Sequence, residues 1–239
     1  MVGVVQDTHP EDGYNADGNI LFYKGKLWII WKENNTNNTK AESGYRLIMG
    51  CSYDGKSFSR PQVFAHNPDN LSMYLAAPIL HIIDDKITML GVYSPIIGDN
   101  CPGVENKPIG IVVFGVNDNC LGDTTFYLES IKQQSYRKGF DFWQIDCFTN
   151  NNIHYCLVTP ERGQELFLGE SQDGLTYTFY DMPLLHENGR QRIPYMYKPS
   201  GVLIGNRFHL LYPSRVSLDK VHIFCTSTYF DKLISKLKS

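Results

Sequence analysis

The sequence lacks the features that mark several common protein classes. Its 239 residues contain no basic tract and carry a net charge of -3, so nucleic acid is not an expected partner. No run approaches the roughly 20 apolar residues that a membrane helix needs, so no membrane partner is expected either. The opening Met1–Val5 is too short for a signal peptide. The compartment stays open, and an extracytoplasmic location would require a signal that has been removed.

Motifs for cofactors and metals are also missing. There is no glycine-rich phosphate loop and no nucleophile elbow. The six cysteines show no Cys-x-x-Cys spacing, which argues against a zinc site, and we predict neither a metal nor a cofactor. Four of them lie in apolar strand-like runs and are predicted to be buried free thiols: Cys51, Cys147, Cys156 and Cys225. Cys101 and Cys120 flank a loop-and-strand segment and are the pair to test for a disulfide.

A repeated turn motif is the most informative feature that is present. Ser52–Phe58 and Ser171–Tyr177 share the pattern Ser-x-Asp-Gly-x-x-aromatic, and each follows an apolar strand-like run. Asp-Gly favours a tight turn in which the Asp carboxylate caps backbone amides. A recurring unit of this kind predicts a repeat architecture, and it reports the fold rather than a reaction.

Hairpins rich in β-branched and aromatic residues recur about every 60 residues. Their strands are predicted at 20–23 with 27–31, 79–83 with 87–93, 145–148 with 153–158, and 201–204 with 208–212. Further strands are predicted at 45–51, 61–64, 109–116, 125–131, 165–169, 176–180 and 221–228, and a short helix at 229–238. Four strands per unit predict an all-β β-propeller. A β-sandwich is the alternative, but it does not explain why hairpin and turn recur in the same order.

The propeller is predicted to be one domain covering residues 1–239. Four blades are recognisable, and five are expected. The fifth blade is expected to be missing, degenerate or completed by the first eighteen residues. One interpretation is that the domain lacks an N-terminal segment.

These residues resemble a known group of enzymes. The Ser-x-Asp-Gly turns look like the Asp-box turns of sialidases and the related turns of five-bladed glycoside hydrolases. The hairpin Asn15–Trp28 resembles the opening blade of glycoside hydrolase family 43, Ala76–His81 resembles its second-blade segment, and Tyr197–Leu203 resembles a later inner strand. The resemblance implies an enzyme that hydrolyses a terminal sugar from a glycan through two carboxylates, with a carbohydrate as its ligand.

Glycoside hydrolysis needs one carboxyl group that is protonated and a second that is ionised. Asp17 is the candidate base or nucleophile and Asp146 the candidate acid, with Asp141 in reserve. Each has a structural alternative: Asp17 can cap the entry to its strand, and Asp146 can be a buried Asp bonded to neighbouring blades.

The inner strands of a propeller converge on one axial end, so residues before each hairpin are expected to line a shared funnel. Carboxylates, amides, cations and aromatic faces suit a sugar pocket. The predicted substrate-binding residues are Asn15, His81, Trp143, Arg192, Tyr195, Tyr197 and Lys198. For His81, Trp143 and Lys198, packing or pairing between blades is the alternative.

A non-catalytic propeller is the rival hypothesis. Family 43 usually carries an Asp directly after the Pro of the second-blade segment, and this chain has Ile79 there. A carbohydrate- or protein-binding module that has lost its acid and base would account for that change. The sequence leaves the oligomeric state open.

Overall fold

The computed structural model describes residues 13–35, 45–58, 62–66, 75–93, 110–116, 126–133, 142–160, 165–186, 196, 198–217 and 220–239. These residues form four antiparallel sheets, called blades 1 to 4 in chain order. Blade 1 contains β1 (Gly13–Tyr23), β2 (Lys26–Asn35), β3 (Tyr45–Ser52) and β4 (Gln62–His66). Blade 2 contains β5 (Leu75–Ile83), β6 (Lys86–Tyr93), β7 (Gly110–Val116) and β8 (Phe126–Gln133).

The remaining two blades complete the described architecture. Blade 3 contains β9 (Phe142–Asn150), β10 (Ile153–Pro160), β11 (Glu165–Ser171) and β12 (Thr178–Phe179), with β13 (Leu185–His186) also paired to β11. Blade 4 contains β14 (Ser200–Ile204), β15 (Arg207–Ser217) and β16 (Lys220–Tyr229), followed by helix α1 (Phe230–Leu237). Among the described residues no helix has the length and apolarity to cross a membrane.

The first strands of the four blades stand side by side. β1 lies against β5, β5 against β9, and β9 against β14, so the inner strands follow one another around a common axis. Each blade then runs outward through consecutive antiparallel neighbours. The all-β propeller prediction is confirmed, and the sandwich alternative is wrong because the sheets are arranged radially rather than in two layers.

Two apolar cores fill the spaces between blades. Ile79, Leu90, Ile145 and Val158 belong to the core between blades 2 and 3. The core between blade 3, blade 4 and α1 combines Leu and Met side chains with a group of aromatic rings, in which the Phe230 ring lies edge-on to Tyr155 at 4.9 Å. Full burial of one such side chain contributes roughly 1.5–3 kcal/mol, so these interfaces hold the blades together.

Tight turns join the first two strands of each blade. Both turn residues have positive φ in blades 1 to 3, at Lys24-Gly25, Asp84-Asp85 and Asn151-Asn152, and Gly205 has positive φ in blade 4. This geometry matches the right-handed twist of a two-residue hairpin. The predicted hairpins are therefore confirmed, and their turns give a common reference point for comparing blades.

The two Ser-x-Asp-Gly turns follow β3 and β11, the third strands of blades 1 and 3. In each, one Asp oxygen accepts hydrogen bonds from two backbone amides: Lys56 and Ser57 donate to Asp54, and Leu175 and Thr176 donate to Asp173, all at 2.8 Å. These bonds lower the pKa of Asp54 to about 2. The Asp carboxylate caps the turn as the sequence predicts.

The cysteines divide differently from the prediction. Cys147, Cys156 and Cys225 are free, as expected, but only Cys156 is buried; Cys147 is half-buried and Cys225 is exposed. Cys51 is disulfide-bonded rather than free, so that expectation is wrong. An apolar run predicts a strand, but it shows neither which face of the strand a cysteine lies on nor which residue lies beside it. Cys101 and Cys120 fall outside the described residues.

The turn glycines offer a matched pair for testing how blade 3 packs. Gly55 and Gly174 have nearly the same φ, 69° and 71°, but a Cβ on Gly55 would meet open space. A Cβ on Gly174 would lie 2.9 Å from Ile83 Cγ1 in blade 2. We expect Gly55→Ala to cost about 1 kcal/mol of unfolding free energy and Gly174→Ala roughly 1–3 kcal/mol more. Urea denaturation of both variants measures this, and equal losses would contradict the close approach of blades 2 and 3.

Candidate functional site

When the four hairpins are aligned at their turns, three of the inner strands have a left-handed residue at the same place. The residue seven places before the turn is Asp17 in blade 1, Ala77 in blade 2, Gln144 in blade 3 and Lys198 in blade 4. Asp17, Ala77 and Lys198 all have positive φ, at 56°, 48° and 28°. The strand pairing is also irregular on either side of Asp17 and Ala77. Left-handed backbone at three non-glycine residues costs on the order of 1 kcal/mol each, and such strain tends to cluster at functional sites.

Lys198 joins three blades at this level. Its Nζ donates to the carbonyl oxygen of Asp17 at 2.6 Å and to that of Pro78 at 3.3 Å. The lysine belongs to the entry of blade 4, Asp17 to blade 1 and Pro78 to blade 2. The irregular backbone at Asp17 thus presents a carbonyl oxygen toward the axis, where the ammonium binds it.

Asp146 lies close to these strand entries, two residues after Gln144 in β9. Its Oδ2 accepts a 2.9 Å hydrogen bond from the backbone amide of Gly201 in blade 4. Its Oδ1 lies 3.4 Å from Nδ2 of Asn19 in blade 1, which is a long and weak hydrogen bond. Asn19 Oδ1 in turn accepts from the Leu80 amide of blade 2 at 2.9 Å. We call Asp17, Asn19, Asp146 and Lys198 the axial cluster.

The surroundings of Asp146 change its acidity. The side chain is buried, and burial raises its pKa from the usual 3.8 to about 6. The Gly201 amide, the Lys198 charge and the Ser200 hydroxyl all favour the ionised form, but they only partly offset the desolvation. Asp146 can therefore hold or release a proton close to neutral pH, as a general acid must.

Buried polar atoms extend from the cluster along blade 3. Gln144 and Thr159 face each other across β9 and β10, and both are buried. Within the described part of the chain, Gln144 Oε1 and Thr159 Oγ1 make no hydrogen bond. Such atoms usually bind ordered water. Across the same described ranges, no group of three or more His, Cys, Asp or Glu side chains could hold a metal ion.

The structure brings together three of the predicted site residues: Asp17, Asp146 and Lys198. Asn15 lies in β1 opposite Glu33, two residues before Asp17. Trp143 lies in β9 beside Gln144, where the pairing with β10 becomes irregular. The other predicted residues fall outside the described part of the chain: Asp141, Arg192, Tyr195 and Tyr197.

His81 lies elsewhere, buried between blades 2 and 3. Its Nε2 is 2.9 Å from Nδ1 of His154 in β10, and the two rings meet edge-on. Burial lowers the pKa of His81 to about 3, and the charge of His154 acts in the same direction. The residue follows Pro78 by three positions, about 10 Å along a strand. This position matches the packing alternative given for His81.

Asn19 is the cluster member that the sequence prediction missed. It lies five places before the turn, which is the position of Asp146 in blade 3, Ser200 in blade 4 and Ile79 in blade 2. Aligning the four hairpins at their turns would have revealed a polar residue at this level in three of the four blades.

Comparison with known proteins supports the fold. The chain matches no family model, and no curated protein matches its sequence. Among solved structures, an N-acetylgalactosamine deacetylase from F. plautii in complex with blood group B trisaccharide superposes with a TM-score of 0.71 at 13% identity, covering 96% of this chain and 76% of that chain. An α-L-arabinofuranosidase from Lactobacillus brevis gives 0.61 at 11%, covering 92% and 75%. A family 117 glycoside hydrolase from Zobellia galactanivorans gives 0.61 at 12%, covering 96% and 74%.

These similarities show that the chain has the β-propeller fold of five-bladed glycoside hydrolases, as the sequence resemblance implied. At sequence identities of 11–13%, these similarities show a shared fold and nothing about activity.

The raised pKa of Asp146 predicts a specific pH dependence of stability. The folded state binds this proton more tightly than the unfolded state, so Asp146 makes folding less favourable as pH rises from about 4 to above 6. The shift to about 6 corresponds to roughly 3 kcal/mol. We expect the unfolding free energy of the wild type, relative to Asp146→Asn, to fall by about that amount between pH 4 and pH 7. Denaturant titrations at both pH values measure it, and a constant difference would mean an ordinary pKa.

Proposed function

We propose that the protein is a glycoside hydrolase that removes a terminal sugar from a glycan, with Asp146 as general acid and Asp17 as base or nucleophile. One observation carries the proposal: a buried carboxyl group with its pKa raised to about 6 lies in the same axial cluster as a second buried Asp and a lysine. Two carboxyl groups in different environments are what this reaction requires.

The two oxygens of Asp146 have different roles in this proposal. Oδ2 is held by the Gly201 amide, which fixes the orientation of the carboxyl group. Oδ1 makes the longer contact, 3.4 Å from Asn19 Nδ2, and it is the oxygen assigned here to carry a proton toward a glycosidic oxygen. Loss of that proton during bond cleavage leaves a carboxylate that Lys198 and the Gly201 amide stabilise.

Asp17 supplies the second carboxylate in this proposal, and Lys198 holds its backbone. The Asp17 carboxylate attacks the anomeric carbon or activates a water, and the separation of the two carboxyl groups decides which. The ammonium of Lys198 binds the Asp17 carbonyl oxygen and so fixes the backbone from which the carboxylate projects. Lys198 is a positioning residue in this scheme.

A carbohydrate ligand is consistent with the similar structures, which include a complex with a trisaccharide and an α-L-arabinofuranosidase. We further propose that Asn15, Trp143, Arg192, Tyr195 and Tyr197 contact the sugar. Amide and guanidinium groups bind hydroxyls, and aromatic faces cover the C–H patches of sugar rings.

A glycan-binding propeller without catalysis is the second candidate. Blade 2 contributes the apolar Ala77 and Ile79 at the two positions where the other blades carry polar residues. Asp146 also bonds to blades 1 and 4, so its carboxyl group has a structural use even without turnover.

Substrates with different leaving groups separate the two candidates. We expect Asp146→Asn to lower kcat/KM by at least about 100-fold on natural oligosaccharides, because their leaving groups need protonation. The loss should be much smaller on 2,4-dinitrophenyl glycosides, whose leaving group departs without a proton. Asp17→Asn should abolish turnover of both classes. Wild-type kcat/KM should fall above pH about 6, where Asp146 loses its proton.

Thr149→Ala is a matched control, since Thr149 lies in the same strand as Asp146 but near His154 and away from the cluster. Its kinetics should match the wild type. A panel of aryl glycosides that yields no turnover, combined with glycan binding that survives Asp146→Asn, would support the binding module instead.

A further inference from the structure

Two free thiols face each other in blade 3. Cys147 of β9 and Cys156 of β10 are directly opposite in the strand pairing, and both are reduced. Their side chains lie in the core between blades 2 and 3, where Cys156 is fully buried and Cys147 is half-buried. We call these two residues the thiol pair. The proposed function uses neither of them.

The register of the hairpin places the thiol pair where opposite side chains come closest. β9 and β10 are joined by the two-residue turn Asn151-Asn152, so the residues flanking this turn exchange backbone hydrogen bonds, and bonded and non-bonded pairs alternate from there. The thiol pair is the fourth pair from the turn and is therefore non-hydrogen-bonded. The Cα atoms of such a pair lie about 4.5 Å apart. A disulfide spans Cα distances of about 4.4 to 6.8 Å, so a bond between the two sulfurs fits this register.

Hydrogen bonds also direct the two sulfurs toward each other. The Tyr177 hydroxyl donates to Cys147 Sγ at 3.6 Å, and Cys156 Sγ donates to the Leu157 carbonyl at 3.5 Å. The two thiols are themselves hydrogen-bonded. Each thiol carries one hydrogen, and that of Cys156 is directed at Leu157, so Cys147 is the donor between the two sulfurs. The sulfurs are thus neighbours with no atom between them.

The fold does not require thiols at this place. When the hairpins are aligned at their turns, the corresponding cross-strand pairs of the other blades contain only apolar residues: Ile20 with Ile29, Leu80 with Met89, and Gly201 with Leu210. Aliphatic side chains and glycine therefore satisfy the packing of this position in three blades. Two cysteines add a reaction that those residues cannot undergo.

We propose that the thiol pair is a redox modification site, at which hydrogen peroxide converts Cys147 and Cys156 to a cross-strand disulfide. In the first step, the Cys147 sulfur attacks the O–O bond and becomes a sulfenic acid, and the thiol proton leaves with the released hydroxide as water. In the second step, the Cys156 sulfur attacks the Cys147 sulfur. The S–O bond breaks, and the Cys156 proton leaves with that oxygen as a second water. Two thiols are oxidised to one disulfide while one peroxide is reduced to two waters.

Burial determines which sulfur reacts first. Cys147 is the more exposed of the two, so a small oxidant reaches it before Cys156. Burial also raises the pKa of the Cys156 thiol well above its usual range, and the protonated form is a poor nucleophile toward peroxide. Cys156 therefore acts second, as the resolving thiol.

The bond is expected to be reversible. A Cα spacing at the short end of the disulfide range strains the bond, and strained disulfides are the more easily reduced ones. Cys147 directly follows Asp146 in β9, so oxidation ties the strand that carries this carboxyl group to β10. The reduced and oxidised proteins thus differ one residue away from the axial cluster.

Alkylation of the thiols tests the proposal on the folded protein. The protein is treated with hydrogen peroxide, the peroxide is destroyed with catalase, and free thiols are alkylated in denaturant and mapped as peptides without reduction. We expect a cross-linked peptide that joins Cys147 to Cys156. Alkylation of Cys156 should be at least about tenfold lower than in untreated protein. Dithiothreitol added to the folded, oxidised protein should restore it.

Substitutions assign the two roles. With Cys147→Ala the thiol that reacts first is absent, so peroxide should leave the alkylation of Cys156 unchanged. With Cys156→Ala the resolving thiol is absent, and dimedone should trap a sulfenic acid at Cys147. Cys225→Ala is the matched control, because Cys225 is a free, exposed thiol in blade 4, and its loss should leave the cross-link unchanged.

Three results would overturn the proposal. One is wild-type protein in which peroxide does not lower the alkylation of Cys156. Another is wild-type protein in which Cys147 proceeds to a sulfinic acid while Cys156 stays free, since the two sulfurs would then be out of bonding reach. The third is an equal loss of free Cys156 in the wild type and in Cys147→Ala. The wild-type map requires no variant to fold, and none of these results depends on enzymatic activity.

Discussion

The Lys198 ammonium is the interaction on which the arrangement of the inner strands depends. It binds the carbonyl oxygens of Asp17 and Pro78, and so joins the entry of the last described blade to the entries of the first two. A partly buried ammonium requires such acceptors, and a carbonyl oxygen turned toward the axis requires a donor. The left-handed backbone at Asp17, Ala77 and Lys198 is stable because this contact and the surrounding blades over-determine it. The interface cores hold neighbouring blades together, and Lys198 connects the two ends of the row.

The same contact creates the chemistry of the site. With the strand entries drawn together, Asn19 of blade 1 reaches Asp146 of blade 3, and the Gly201 amide of blade 4 reaches it from the other side. Asp146 then has little water around it, which raises its pKa to about 6 although Lys198 favours its ionised form. Asp146 can therefore hold neighbouring blades through its hydrogen bonds and still have a raised pKa. Its hydrogen bonds with the Gly201 amide and Asn19 fix its orientation, and burial raises the pKa of the same carboxyl group.

Local patterns made much of the fold predictable. Alternating β-branched and aromatic residues located the hairpins, and Asp-Gly located the capped turns at Asp54 and Asp173, because both signals depend on neighbours in the sequence. The axial cluster was only partly predictable. Asp17, Asp146 and Lys198 could be proposed from their places before the hairpins, and an alignment of the hairpins would also have pointed to Asn19. The His81–His154 contact and the disulfide of Cys51 depend instead on which residues the fold brings side by side. Long-range neighbours of this kind leave no local pattern to recognise.

We propose that a terminal sugar binds between Asp17 and Asp146. The most direct measurement is a crystal structure of the Asp146→Asn variant with a bound oligosaccharide that the wild type cleaves. We predict that the glycosidic oxygen lies within about 3 Å of the residue 146 side chain and that the Asp17 carboxylate faces the anomeric carbon. A sugar bound away from the axial cluster, with residue 146 still enclosed by Asn19 and Gly201, would contradict the account.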